Sequence, residues 1–276
     1  MDDLELRRHL PGNLPQLFAD DDVERTLEVP LPAGEVVWPD PGYPQRQLLQ
    51  RPAFWLSDEP VGGGLWAALR AAHPRSGLWP LLLDESDQPW AAGQIAPEPV
   101  AEVGNYVPGA FMAEVWADWA EQAAEEDHDD LAPFGPDCPG PAQRGAALDD
   151  PGAVADRHAR LLGHRGMSLG LVAVERGADA LAAIGWQGAL NHNEWTAPLA
   201  AVVRGWEDRF GARVIALGFN TLELSVASPP ISVRHALHVA AEHWAFCPDI
   251  LFQGPGDLRG YAEEIRGRDH WSFWWD

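Results

Sequence analysis

The chain has 276 residues, 46% of them apolar, and a formal net charge of −23 from 42 acidic and 19 basic residues. That much apolar content supports a buried core and excludes wholesale disorder, while the negative field repels phosphate and argues against nucleic acid and anionic membranes as partners. No apolar run approaches the roughly 18 residues that span a bilayer, the acidic start Met1-Asp2-Asp3-Leu4-Glu5 is unlike a secretory signal, and the expected setting is the cytoplasm.

All 19 cations are arginine, which points to a GC-rich genome, and the two cysteines, Cys138 and Cys247, are too few for a disulfide framework and are expected as free thiols. In chain order, the first sixty residues are rich in Pro and Gly. Short apolar runs at 27–31 and 36–38, separated by Pro32-Ala33-Gly34, suggest a hairpin. Gly62-Gly63-Gly64 lacks the Lys and Ser/Thr of a phosphate loop and reads as a flexible connection. Leu65, Trp66, Leu69 and Ala72 follow helical spacing up to Pro74, and 78–83 reads as a buried strand. A second amphipathic helix is predicted over 110–124, with Met112, Val115, Trp116, Trp119 and Ala123 on one stripe.

Acidic residues at 125–130 and the Pro-rich stretch 133–141 have the composition of a solvated linker, without the alternation of a calcium loop. The division drawn from this is an N-terminal α/β region over 1–124, a linker over 125–152 and a C-terminal domain over 153–276. In the last of these, 169–174 reads as a strand and 178–184 as a short helix. A polar loop follows over 186–194, ending at Thr196 as an N-cap. Leu199, Val202, Val203, Trp206 and Phe210 mark a helix closed by Gly211. A hairpin is predicted over 213–227, helices over 232–245 and 257–266, and a final strand over 270–275. The fold class expected is α+β, a small mixed sheet with a C-terminal hairpin and final strand, covered by amphipathic helices.

Three segments, Trp206-Glu207-Asp208-Arg209-Phe210-Gly211-Ala212, the run from Ala240 to Asp249 and Trp271-Ser272-Phe273-Trp274-Trp275-Asp276, resemble in order the bacterial family called domain of unknown function 4253. The resemblance covers about 168–276. It supports the boundary already drawn ahead of the C-terminal domain and implies no reaction.

Gly166-Met167-Ser168-Leu169-Gly170 matches the G-x-S-x-G elbow, but a helix precedes it and a strand follows, the reverse of the hydrolase order, so Ser168 reads as an ordinary strand residue. His235, His238, Glu242 and His243 share a helix. Their spacing departs from zinc motifs, and with Leu237, Ala240, Ala241 and Trp244 as the buried stripe, His235, His238 and Glu242 are expected on a solvated face. Cys247, four residues after His243 and just before Pro248-Asp249, is either a thiol activated by the imidazole or a buried packing residue. Trp271, Phe273 and Trp275 alternate onto one strand face and are expected in the core. The loop over 187–194, with Asn191 and His192, is a candidate for ligand contacts. The candidate binding residues are thus Asn191, His192, Glu242, His243, Cys247 and Asp249, with no metal and no cofactor predicted. The leading expectation is a non-enzymatic binding or protein-interaction module, its charge suited to a basic protein partner. The alternative is an enzyme using a His/Cys or Asn/His cluster of the C-terminal domain.

Overall fold

The computed structural model describes residues 10–18, 23–42, 51–84, 89–126, 131–146, 149–252 and 254–276. Among these, seven strands form one mixed sheet in the order β1-β2-β4-β3-β5-β6-β7. They are β1 (Gly34–Val37), β2 (Phe54–Ser57), β3 (Leu78–Leu83), β4 (Ser168–Ala173), β5 (Arg213–Leu217), β6 (Thr221–Ser225) and β7 (His270–Trp274). The helices are α1 (Gly63–Ser76), α2 (Val100–Val103), α3 (Pro108–Glu126), α4 (Pro151–Leu162), α5 (Ala180–Ile184), α6 (Thr196–Phe210), α7 (Val233–Phe246), α8 (Asp249–Phe252) and α9 (Leu258–Ile265). The architecture is α+β, and no helix among the described residues is long and apolar enough to cross a membrane.

The centre of the sheet is β3, whose six residues are all buried, as a continuous apolar run demands of a strand covered on both faces. It pairs antiparallel with β4 and parallel with β5, so an N-terminal strand lies between two C-terminal ones. The division at 125–152 is therefore not one between sheets: the N-terminal region contributes three strands to a shared one. Pro80 has no N–H for the ladder, and pairing with β5 is confined to Leu82 and Leu83. Upstream of it, the indole Nε1–H of Trp79 donates to Val214 O at 3.1 Å.

The hairpin expected at the N-terminus does not form. β1 pairs instead with β2, because Pro30 removes a donor that a strand over 27–31 would need. Pro74 does not stop α1. It sits in the last turn, and the helix ends at Gly77, which takes a φ of 68° and donates to His73 O at 2.8 Å. Gly63 is no flexible connector either, since a Cβ there would lie 2.0 Å from Ala159 O of α4; only glycine allows α1 and α4 to approach so closely.

His270 and Phe273 lie on opposite faces of β7 by strand alternation. His158 of α4 stands beside His270, while Trp206 of α6 stacks on Phe273 with centroids 5.3 Å apart. The sheet is thus sandwiched, with α1 and α4 on one side and α6, α7 and α9 on the other. On the second side Trp271, Phe273 and Trp275 are buried as expected, joined by Trp206 and Phe246 in a cluster of edge-to-face rings.

Glu242 departs furthest from the sequence reading. It is 3% exposed and accepts four hydrogen bonds, from Arg209 Nη1 and Nη2 at 2.6 Å each, Trp206 Nε1 at 2.8 Å and Ala142 N at 2.5 Å. A second layer covers α7 here: the segment 131–146, expected as solvated linker, packs against α6 and α7. Leu131 and Ala142 are buried, and Trp116 Nε1 donates to Gly135 O at 3.1 Å. The acidic residues 127–130 of that linker lie outside the described residues. His235 and His238 are half-buried rather than solvated as the stripe predicts, their rings lying 5.8 Å from Phe210 and 5.1 Å from Phe134 respectively.

Removing Glu242 leaves the largely buried guanidinium of Arg209 uncompensated. Glu242→Ala is expected to lower unfolding free energy by roughly 3–5 kcal/mol in urea titration. His238→Ala, four residues back at a half-buried position, is expected to cost about 1 kcal/mol.

Candidate functional site

The loop between α5 and α6, residues 185–195, separates two cavities. Gly185 closes α5 with a φ of 67°, and a Cβ there would stand 2.2 Å from the Ala96 carbonyl carbon. Glycine therefore admits the segment 96–98 against the loop, fixed by Glu98 N donating to Ala182 O at 2.9 Å. This brings the Glu98 carboxylate to the start of α6, where it accepts from Thr196 N at 2.5 Å and Ala197 N at 3.0 Å. An anion at a helix N-terminus satisfies orphan donors and the helix dipole together. Thr196 is thus not the N-cap: its hydroxyl donates to Trp186 O at 3.0 Å, and Glu98, 98 positions away, does the capping.

The first cavity, of about 320 Å³, is lined by Glu98, Trp186, Leu190, Asn193, Glu194 and Trp195 among others. Asn193 Oδ1 accepts from Trp195 N at 3.2 Å, which decides which end of the amide is oxygen; Nδ2, on the other end, is buried without a hydrogen-bond partner. A buried donor left unpaired is costly and favours a ligand acceptor. Trp195 and Leu190 remain 40% and 50% exposed at its rim.

The second cavity, of about 520 Å³, lies across the loop and is lined by Gln187, Asn191, Phe219, Asn220, Trp275 and Asp276 among others. Here the structure brings together three of the predicted residues. Asn191 Nδ2 donates to Asp276 O at 2.9 Å, Asp276 N donates to Asp249 Oδ2 at 2.9 Å, and His192 Nε2 lies 2.8 Å from that same oxygen. Trp186 anchors the loop from beneath, its Nε1–H bonded to Gly218 O at 3.0 Å and its ring edge-on to Trp275.

The other three predicted residues lie apart from this loop. Glu242 is in the Arg209 site. His243 is fully buried, its Nδ1 3.0 Å from the Tyr261 hydroxyl and its ring enclosed by Trp206, Trp271 and Phe273. Burial, with the Arg209 cation adding to it, holds its pKa well below the ordinary imidazole value, so the ring is neutral. Cys247 is also fully buried. Its Sγ–H donates to Trp274 O at 3.0 Å, and burial pushes its pKa far up, away from the thiolate a nucleophile requires. Of its two readings, the packing thiol describes this environment. Ser168 likewise begins β4 with no exposure.

Glu98 and Trp195 are site residues that the sequence reading missed. Trp195 adjoins the flagged loop and could have been found there; nothing local marks Glu98 as a cap for a helix so far along the chain.

The fold and site define an α+β protein with a paired cleft at one loop. Its C-terminal part, residues 168–276, matches the family model described as Domain of unknown function (DUF4253). Trp206, Glu242, His243 and Phe273, all within the segments that carry the resemblance, meet in the buried cluster and the Arg209 site. No curated protein and no solved structure matches the chain.

Iodoacetamide is expected to leave Cys247 unmodified in the folded protein and to alkylate it after urea unfolding, read by peptide mass mapping; modification of the folded form would place the thiol within reach of substrates. The depressed pKa of His243 has a second consequence. The unfolded chain takes up a proton below about pH 6.5 that the core refuses, so stability falls as pH drops. His73 and His158, also lowered by burial, act with the same sign. Between pH 7 and 5.5 the wild type is expected to lose about 1 kcal/mol more than His243→Gln, measured by urea unfolding at both values.

Proposed function

We propose that the protein is a binding module and that the cleft beside Trp195 takes a basic peptide segment of a protein partner. The observation that carries this is the lining of the first cavity: an exposed indole and Leu190 beside the carboxylates of Glu98 and Glu194, with an unsatisfied amide donor at Asn193. An arginine or lysine side chain over the Trp195 ring gains a cation–π contact, and the neighbouring carboxylates add Coulombic attraction. A peptide carbonyl is the acceptor that Asn193 Nδ2 lacks. Glu98 offsets the positive end of α6, so the exposed Glu194 leaves the mouth negative. The cavity falls within the size range of small-ligand sites, and the net charge of −23 steers a cation towards it from a distance. The described residues that line both cavities include no Ser, Cys, Lys or His, the side chains on which covalent or general-base catalysis most often rests. A cytoplasmic setting fits this reading.

One observation favours the enzymatic alternative: the His192 imidazole paired with Asp249, the arrangement that orients a general base. The same Asp249 oxygen also holds Asp276 N, which describes a pin for the segment after β7 equally well.

The test is fluorescence anisotropy of a labelled hexa-arginine peptide at about 0.15 M salt, where surface charge is largely screened. Trp195→Ala is expected to weaken binding about tenfold, as loss of a partly desolvated cation–π contact would, with Glu194→Gln in the same direction. Equal binding by wild type and Trp195→Ala would reduce the interaction to unspecific charge attraction and remove the proposed site.

A further inference from the structure

On the opposite side of the sheet from the aromatic cluster, three metal-ligating side chains converge. His158 projects from α4, and Asp269 and His270 stand at the start of β7; one ligand atom from each lies within 4.8 Å of the others. We propose that His158, Asp269 and His270 form a binding site for a divalent first-row transition metal ion such as Zn²⁺, with a fourth position left to water.

The donor chemistry is that of such ions: two imidazoles and one carboxylate. Tetrahedral donors about 2.0–2.1 Å from zinc are separated by roughly 3.3 Å, a contraction that small rotations of the exposed His270 and the partly exposed Asp269 supply. The carboxylate is already oriented. Arg157 Nη2 donates to Asp269 Oδ2 at 2.6 Å, leaving Oδ1 turned towards His158 Nε2 at 3.2 Å. An outer-shell hydrogen bond of this type fixes a ligating carboxylate. The main chain is held as well, by Val226 N donating to Asp269 O at 2.7 Å.

Two further observations point to a ligand. His158 Nε2 is shut off from solvent and the acceptor beside it is the Asp269 carboxylate at 3.2 Å, poorly aligned for a hydrogen bond, so both atoms are turned towards the same point. Ser225 pairs with His270 across β6 and β7 and so shares its face of the sheet; its Oγ is fully buried and also unpartnered. Buried polar groups are normally satisfied, and a metal-bound water beside His270 would supply a partner for the hydroxyl. The α7 histidines lack such an arrangement, His235 bonding Gln143 O and His238 bonding Arg234 O.

The test is calorimetric titration of the chelator-treated full-length protein with ZnCl₂, paralleled by Co²⁺ absorption. The expected result is one ion per chain. Affinity should fall at least about tenfold in His270→Ala, an exposed position whose change leaves the fold intact by circular dichroism, and again in the near-isosteric Asp269→Asn; the His235→Ala/His238→Ala double variant should bind as wild type. Absence of stoichiometric binding, or an affinity that both His270→Ala and Asp269→Asn leave unchanged, would overturn the proposal.

Discussion

A single buried carboxylate organises one side of this molecule. Glu242 has given up its hydration, and at its depth an unpaired charge would cost several kcal/mol. It persists because four donors replace the lost water: the fork of Arg209, the Trp206 indole and the Ala142 amide. Three of them come from α6 and one from the 131–146 segment, so satisfying the charge fixes α6 against α7 and draws that segment over both. A bidentate guanidinium does this as an ammonium cannot, because its planar donors match the two carboxylate oxygens in one geometry.

The aromatic cluster follows from that arrangement. With Trp206 held at one end by Glu242, its ring lies flat on Phe273, and the neutral His243 fills the space between them and Trp271. The cluster continues through Phe246 to Trp275 and Trp186, which supports the 185–195 loop. The cleft is thus mounted on a rigid base while its rim, Trp195, Leu190 and Phe219, stays open to solvent.

Legibility tracked the range of the interaction. The helix of Leu199, Val202, Val203, Trp206 and Phe210 and its Gly211 cap, the hairpin after it, and the buried alternation of Trp271, Phe273 and Trp275 were all readable, because each depends on neighbours within a few residues. So was the loop that carries the cleft, flagged by its polar composition between two apolar elements. The capping of α6 by Glu98, the pairing of Glu242 with Arg209 and Ala142, and the insertion of β3 between β4 and β5 were not, since each joins residues far apart in sequence. Helical periodicity placed Glu242 on the polar side of α7; it could not register that a second layer covers that side.

The sequence by itself determined the elements of the C-terminal part, the α+β class and the acidic charge, since local periodicity, capping residues and charge are properties of short windows or of composition. Only the tertiary structure decided which polar groups are dry. Whether Cys247 is nucleophile or filler, whether Glu242 is solvated or encased, and whether His158 meets Asp269 and His270 all turn on desolvation by distant segments, and desolvation is a property of the assembled surface.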